Sequence, residues 1–291
     1  MPTLRFKQVD VFTARPYFGN PVAVVFDADG LGAATMQRVA AWTNLSETTF
    51  VLRPTVRDAD YRLRIFTPRS ELPFAGHPTI GSAHAVLEAG IVPERLELRQ
   101  ECAAGLLRLA IARGSEGRRI AVEAPRASLL SLGADAIGSL EQALGARIAA
   151  RTQPQIVAVG PRWLTVLLAD AAVVRALTPD LNALAALSRA HDLTGVTVFA
   201  LVEGENHDLV VRSFAPAAGV PEDPVCGSGN AAVGAWLDHA GMCAGDGTRF
   251  VASQGRELGR DGYVTVRIDP ETRRVWIGGP AVTCIDGVLT L

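Results

Sequence analysis

Lysine, cysteine and long apolar runs are scarce in this 291-residue chain. Its single lysine, Lys7, stands against 27 arginines and lies in a segment patterned like a strand. Schiff-base chemistry needs a desolvated lysine, so pyridoxal-phosphate and lysine-aldolase mechanisms are not expected. No apolar run approaches the ~20 residues of a membrane span. The opening residues MPTLRFKQVDVF contain no apolar signal-peptide segment. We therefore expect a cytoplasmic protein without a membrane partner.

Metal-binding and disulfide patterns are also missing. No CxxC pair occurs among the four cysteines, Cys102, Cys226, Cys243 and Cys284. There is no HExxH motif, and His77 and His84, seven residues apart on one predicted helix, have no third ligand beside them. We therefore expect neither a metal site nor a disulfide framework.

The formal net charge is −2 and the pI is near 6.2, so no basic face is available for nucleic acid. The glycines of Gly227–Gly234 superficially suggest a dinucleotide fingerprint. The third glycine comes two positions late, and no acidic residue follows at the expected distance. We therefore expect no nucleic-acid partner and no cofactor.

Hydrophobic residues make up 48% of the chain, enough for one large or two modest packed cores. Helical patterns occur at Ala33–Thr43 and at Thr79–Glu88, the second opened by Pro78 and ended by Gly90. Strand patterns cover Leu4–Phe12, Pro21–Phe26, Thr48–Leu52, Tyr61–Phe66, Arg95–Arg99, Leu106–Ala112 and Arg119–Glu123. The order of these elements predicts a mixed α/β (α+β) fold.

The second half of the chain repeats the first. A shift of 148 residues places Phe66-Thr67-Pro68 on Phe214-Ala215-Pro216, and a shift of 151 places Ala89-Gly90 on Ala240-Gly241. We expect two similar domains, 1–126 and 127–280, with the C-terminal strand 281–291 joining the first. A boundary near 127–133 fits the Ser, Leu and Gly content of that segment. A pseudo-symmetric pair of this kind would hold a cleft between its halves.

In both halves, a loop rich in Pro and Gly delivers a polar residue to the start of a helix. This residue is His77 in the first half and Ser228 in the second. The unpaired N–H groups and the dipole of a helix start favour an anion, such as a carboxylate or a developing enolate. The alternative is that these two residues merely cap their helices.

Several chemically useful residues are not duplicated. Glu47 corresponds to Gly195, and Cys226 corresponds to Ala75. A two-thiol racemase would need a cysteine in each half, so this asymmetry favours proton transfer led by a carboxylate. The plainer alternatives are a solvated carboxylate at Glu47 and an ordinary buried thiol at Cys226.

Four motifs in order, VDVFTARPYFGNPVAVV, NLSETTFV, ELPFAGHPTIGSAHAVLE and EDPVCGSG, resemble the phenazine-biosynthesis PhzF-like family. This family belongs to the fold group of diaminopimelate epimerase. The resemblance implies two pseudo-symmetric domains, each a sheet wrapped around a central helix, with the active site in the cleft between them. It also suggests a homodimer.

The founding activity of that family is a cofactor-independent isomerisation of trans-2,3-dihydro-3-hydroxyanthranilate, in which a glutamate moves a proton between ring carbons. The resemblance therefore implies an isomerase acting on a small carboxylate-bearing substrate, with Glu47 as general acid and base. It implies further catalytic roles for His77, Asp223 and Ser228, and substrate contacts for Gly76, Cys226, Gly227 and Gly229.

The chain departs from the phenazine enzymes next to the Gly-Ser pair. They carry threonine before it and Ala-His after it, whereas this chain has Cys226 and Gly229-Asn230. Related racemases carry one of two catalytic thiols where Cys226 lies, which leaves a cysteine-dependent racemase or epimerase as an alternative. A small-ligand-binding protein that has lost the reaction is a second alternative.

Overall fold

The structure is a computed structural model that describes residues 3–114, 117–203, 206–243 and 249–291. Met1 and Pro2, which open the first predicted strand motif, lie outside these ranges. The described strands are Thr3–Val11 (β1), Asn20–Val25 (β2), Thr48–Leu52 (β3), Tyr61–Phe66 (β4), Glu71–Leu72 (β5), Glu97–Cys102 (β6), Gly105–Gly114 (β7), Gly117–Glu123 (β8), Ser128–Ser131 (β9), Gln155–Ala158 (β10), Arg162–Leu167 (β11), Gly195–Leu201 (β12), Leu209–Ala215 (β13), Val220–Asp223 (β14), Arg249–Gln254 (β15), Gly262–Ile268 (β16) and Val275–Thr290 (β17). The described α-helices are Ala33–Thr43 (α1), Gly76–Glu88 (α2), Ala134–Leu144 (α3), Ala171–Ala176 (α4), Leu181–Ala190 (α5) and Gly227–His239 (α6).

The chain divides into two compact units, the first formed by Met1–Glu123 with Gly278–Leu291 and the second by Ala124–Ile277. In the part of the chain that the structure describes, no helix is long and apolar enough to cross a membrane.

The sheet of the first unit closes into a barrel. Its strands pair in the order β1-β2-β3-β4-β6-β7-β8, and β17 pairs with both β1 and β8. Helix α2 lies inside this barrel, and every one of its residues except Glu88 is buried. A helix surrounded by strands needs small side chains where strands approach it, which explains the run Gly81-Ser82-Ala83. The predicted sheet wrapped around a central helix is confirmed.

Helix α1 covers the outer face of the same sheet. Its buried Met36 and Ala40 belong to a core cluster with Phe50 and Phe66, whose rings meet edge to face at 5.5 Å. Strand β3 alternates accordingly, because Phe50 faces α1 while the Thr49 hydroxyl contacts Ser82 of α2 at 2.8 Å. The period-two alternation of β3 therefore separates an inner layer from an outer one.

The second unit repeats this connectivity. Strands β11 and β12 are parallel as β2 and β3 are, β12 and β13 are antiparallel as β3 and β4 are, and β13 and β15 are parallel as β4 and β6 are. Helix α6 begins and ends 151 residues after α2, the shift found in the sequence. Helices α3, α4 and α5 pack on the other face of the sheet, around Leu140, Val174 and Leu184.

Two local predictions are corrected by the structure. Helix α2 begins at Gly76 rather than at Thr79, because a proline such as Pro78 is compatible with the first helical turn, where its missing N–H is not needed. Strand β6 covers Glu97–Cys102 rather than Arg95–Arg99. The segment 127–133, expected near a domain boundary, contains β9, which pairs with β10.

Gly81→Ala tests the enclosure of α2. A Cβ at Gly81 would lie 2.4 Å from Cγ1 of Val22 and 2.9 Å from Cγ2 of Val11, so one of the strands must shift. We expect the free energy of unfolding to fall by about 1–3 kcal/mol, because overpacking a protein core typically costs this much stability. Gly138→Ala, at an exposed position of α3, is the control, because its added Cβ would meet no atom within 4 Å outside its own stretch of helix. It should gain about 0.5–1 kcal/mol. Urea denaturation measures both, and equal effects would contradict the packing described for α2.

Candidate functional site

Glu47 and His77 meet in the first unit. Glu47 immediately precedes β3, and His77 is the second residue of α2. Oε2 of Glu47 lies 3.3 Å from Nε2 of His77, and the two side chains are 15% and 7% exposed. Because β3 lines the barrel that encloses α2, the same packing that buries the helix holds the carboxyl beside the imidazole. The structure thus brings two of the predicted catalytic residues together.

Burial keeps the imidazole of His77 neutral. Desolvation lowers the pKa of His77 to about 3, and a hydrogen bond to the Pro21 carbonyl oxygen opposes this shift only in part. Nε2 makes no hydrogen bond of good geometry, so we assign the Pro21 bond to the other nitrogen, Nδ1. A neutral ring with its proton on Nδ1 presents a lone pair at Nε2. Nε2 can therefore accept a hydrogen bond from Glu47 when that carboxyl is protonated.

The start of α2 has no capping side chain, because its N-cap residue is Ala75, in extended conformation. The first N–H groups of this helix belong to Gly76 and His77, since Pro78 has none. N–H groups at a helix start favour an anionic ligand. Gly76 itself is buried at this end of the helix.

Cys226 caps α6 in the second unit. Its Sγ accepts the backbone N–H of Gly229 at 3.3 Å, and Oγ of Ser228 lies 3.7 Å away. Neither Ser228 nor His77 caps its helix, so the reading of these two residues as caps is wrong. Gly229 allows close packing here, because a Cβ would lie 2.6 Å from the hydroxyls of both Thr197 and Ser213.

Asp223 ends β14 and faces the thiol of Cys226. Burial raises the pKa of Asp223 to about 6, although hydrogen bonds from the Cys226 side chain and the Val225 backbone act in the opposite direction. Burial and the nearby Asp223 carboxyl raise the pKa of Cys226 well above its usual value. The thiol is therefore neutral near pH 7, and it donates its proton towards the carboxyl.

Two residues that the sequence analysis does not single out, Gln254 and Trp163, hold the segment around Cys226 in place. Gln254 is buried, and its Oε1 accepts from the backbone N–H of Cys226 at 3.1 Å and from Nδ2 of Asn230 at 2.8 Å. Its Nε2 donates to the carbonyl of Asp223 at 3.1 Å. Trp163 of β11 donates from Nε1 to Oγ of Ser228 at 3.0 Å. The available signals are a polar amide at the end of β15, Arg249–Gln254, and an indole near the start of β11, Arg162–Leu167.

The predicted site residues therefore form two groups, one in each unit. The first contains Glu47, Gly76 and His77. The second contains Asp223, Cys226, Gly227, Ser228 and Gly229, all within or next to the first turn of α6. Over the described residues, no group of three or more His, Cys, Asp or Glu side chains is placed to hold a metal ion.

The family described as phenazine biosynthesis-like protein (PhzC-PhzF) matches residues 9–287. The chain belongs to this family. It is 43% identical, over 97% of both chains, to a Schizosaccharomyces pombe protein named antisense-enhancing sequence 1. It is 37% identical, over 97% of this chain and 98% of the other, to trans-2,3-dihydro-3-hydroxyanthranilate isomerase of Pseudomonas chlororaphis. Members of this PhzF family are named isomerases, and this chain is an isomerase of the same family.

Solved structures agree with this assignment. The PhzF-family protein of Bacillus anthracis superposes with a TM-score of 0.87 at 26% identity, covering all of both chains. A hydroxyproline epimerase from Agrobacterium vitis gives a TM-score of 0.63 at 16% identity, over 99% of this chain and 93% of the other. At that identity the second likeness concerns the fold alone, and it places the PhzF-like fold beside that of an amino-acid epimerase.

Asp223→Asn tests the burial of this carboxyl. The folded-state pKa, about 6, lies above the ordinary value of 3.8. The charged carboxylate therefore destabilises the folded protein above pH 6, and this destabilisation disappears as the pH falls towards 4. We expect the variant to be more stable than wild type by about 1–3 kcal/mol at pH 7.5 and nearly equal at pH 4. Thermal unfolding at both values measures this, with Asp58→Asn at an exposed position as control. A difference in stability between variant and wild type that is the same at both pH values would contradict the raised pKa of Asp223.

Proposed function

We propose that this PhzF-like isomerase moves a proton between two carbons of a small carboxylate-bearing substrate of the dihydrohydroxyanthranilate type, without a cofactor. Glu47 is the proton shuttle. The observation that carries the proposal is the contact between a largely buried Glu47 carboxyl and the neutral imidazole of His77, at 3.3 Å. A carboxyl held in this way has the imidazole of His77 as a hydrogen-bond partner besides the substrate.

The reaction balances with these groups alone. The Glu47 carboxylate takes a proton from a substrate carbon that lies next to a double bond, and the electron pair of the broken C–H bond moves into the conjugated system. The protonated Glu47 then returns that proton to another carbon, and the double bonds shift. Neither an oxidant nor a nucleotide is consumed, and the enzyme ends in its starting state. The neutral His77 Nε2 can accept a hydrogen bond from the protonated Glu47 and so hold that carboxyl in place while the substrate rearranges.

The remaining site residues have binding roles in this proposal. The substrate carboxylate would accept hydrogen bonds from N–H groups at Gly76 and Gly227, where the helix dipole stabilises negative charge. Ser228 and Asp223 would contact the carboxylate and the amino or hydroxyl groups of the substrate. The relative from Pseudomonas chlororaphis, named for an isomerase of this substrate, supports the choice of substrate class. The homodimer and the cytoplasmic location stay predictions.

The contacts of Cys226 support a structural role for this thiol. It accepts an N–H bond as a helix cap, and burial keeps it protonated. A racemase needs a thiol that loses its proton easily. A cysteine-dependent reaction and a silent binding protein are nevertheless distinct outcomes of the experiment that follows.

Glu47→Gln should abolish proton exchange while leaving the fold intact. The experiment follows deuterium entry into trans-2,3-dihydro-3-hydroxyanthranilate by proton NMR in deuterated water. We expect the rate to fall roughly 10²- to 10⁴-fold, because an amide cannot carry the proton. Glu97→Gln is the matched control, since Glu97 is a half-buried carboxylate of β6 that pairs with Arg108 away from the site residues. Cys226→Ser should exchange like wild type, because serine is an acceptable helix cap.

Three results would contradict the proposal. The first is retained exchange in Glu47→Gln. The second is exchange at the α-carbon of proline or diaminopimelate that is lost in Cys226→Ser, which would identify a cysteine-dependent epimerase. The third is saturable binding of these acids by wild type without any exchange, which would identify a binding protein.

A further inference from the structure

The hydroxyl of Ser228 lies in a chain of hydrogen bonds that begins at a group able only to donate and ends at a group able only to accept. At one end, Nε1 of Trp163 donates to Oγ of Ser228 at 3.0 Å. Ser228 lies 3.7 Å from Sγ of Cys226, and the Cys226 side chain is hydrogen-bonded to the Asp223 carboxyl at the other end. An indole N–H can only donate, and an ionised carboxylate can only accept. The hydroxyl and the thiol between them must therefore both donate towards Asp223.

We propose that Trp163 is a positioning residue that occupies one lone pair of the Ser228 hydroxyl and fixes its orientation, so that its proton is presented to an acceptor oxygen, a carboxylate. This inference rests on the proposed function, in which Ser228 contacts the substrate. Sulfur is a weak acceptor, and 3.7 Å is a long contact. A charged oxygen therefore displaces the thiol as acceptor of the Ser228 proton at little cost.

The surroundings of Trp163 fix its ring. The side chain is 3% exposed and lies on β11, opposite Gly195 of the parallel strand β12. A Cβ at Gly195 would lie 2.1 Å from the carbonyl oxygen of Phe214 and 2.9 Å from Cζ3 of the indole, so the β13 backbone and this ring position both exclude a larger residue. A buried indole usually finds a partner for its N–H, and Ser228 is that partner.

The first unit has no equivalent of this contact. Thr48 pairs with Ala23 there, and Val196 pairs with Leu164 in the second unit. By this register Val22 is the counterpart of Trp163, and the counterpart of Gly195 is Glu47. The position that carries the proposed proton shuttle in one unit is thus a glycine in the other, packed against both the β13 backbone and the indole. The two units differ in role: one moves the proton, and the other orients a donor.

A direct test of the bond uses the indole N–H signals of ¹⁵N-labelled protein. The chain contains four tryptophans, and Trp163→Phe identifies the signal of Trp163. We expect Ser228→Ala to displace that signal and to leave the signal of Trp236 in place. Trp236 is the internal control, because it is equally buried and donates to the carbonyl of Gln153 instead. An unmoved Trp163 signal would overturn the inference whatever the reaction is.

The ligand test compares 3-hydroxyanthranilate with its carboxamide as probes. Trp163→Phe keeps an aromatic ring but removes the N–H that orients the Ser228 hydroxyl. We expect its affinity for the acid to fall roughly threefold to tenfold, and the preference for acid over amide to shrink, while Trp236→Phe binds like wild type. Wild-type selectivity in Trp163→Phe would overturn the inference.

The two proposals fail in distinguishable ways. If wild type binds neither probe, the ligand assigned to Ser228 and the proposed substrate class are both wrong, even with a displaced Trp163 signal. If wild type binds the acid and Glu47→Gln abolishes exchange, but Trp163→Phe behaves as wild type, only the role of Trp163 is wrong.

Discussion

Enclosure of a helix by a sheet is the constraint on which the rest of this structure depends. Helix α2 is buried along nearly its whole length, and ten of the thirteen residues of α6 are buried as well. A polar side chain at the start of such a helix is desolvated and cannot move away from its neighbours. His77 is kept neutral for this reason, and the same burial surrounds Cys226 at the start of α6. The chemistry of the candidate site follows from the packing of the fold.

The two units use one framework for different purposes. Both present a helix start, but the first places a carboxyl and an imidazole there, while the second places a thiol cap and a hydroxyl. Glycine at position 195 marks this divergence, because it packs against the β13 backbone and the Trp163 indole where the other unit carries Glu47. Asymmetry of this kind suits a one-carboxylate proton shuttle better than a reaction with two matched bases.

The sequence predicts much of the fold because the informative signals are local. Helix α1, Ala33–Thr43, and strand β3, Thr48–Leu52, have their predicted bounds, since apolar periodicity and flanking glycines act over a few residues. The start of α2 differs from its prediction because Pro78 lies within the first helical turn rather than ahead of it. The repeat can be detected in the sequence because α2 and α6 have the same length and lie 151 residues apart.

The partners within the site could not be predicted in this way. Trp163 and Ser228 are 65 residues apart, and Gln254 and Cys226 are 28 residues apart, so no local pattern joins them. The capping role of Cys226 was missed because cysteine is a weak acceptor and rarely fills that position. Such contacts are properties of strand register, which only the folded chain reveals.

The central claim is that a neutral His77 presents its Nε2 lone pair to Glu47. The most direct measurement is the ¹⁵N chemical shifts of the His77 imidazole between pH 5 and 8. The account predicts a ring that stays neutral across this range, with its proton on Nδ1. A ring that becomes charged near pH 6, or that carries its proton on Nε2, would contradict the account, because Glu47 would then face a donor rather than a proton acceptor.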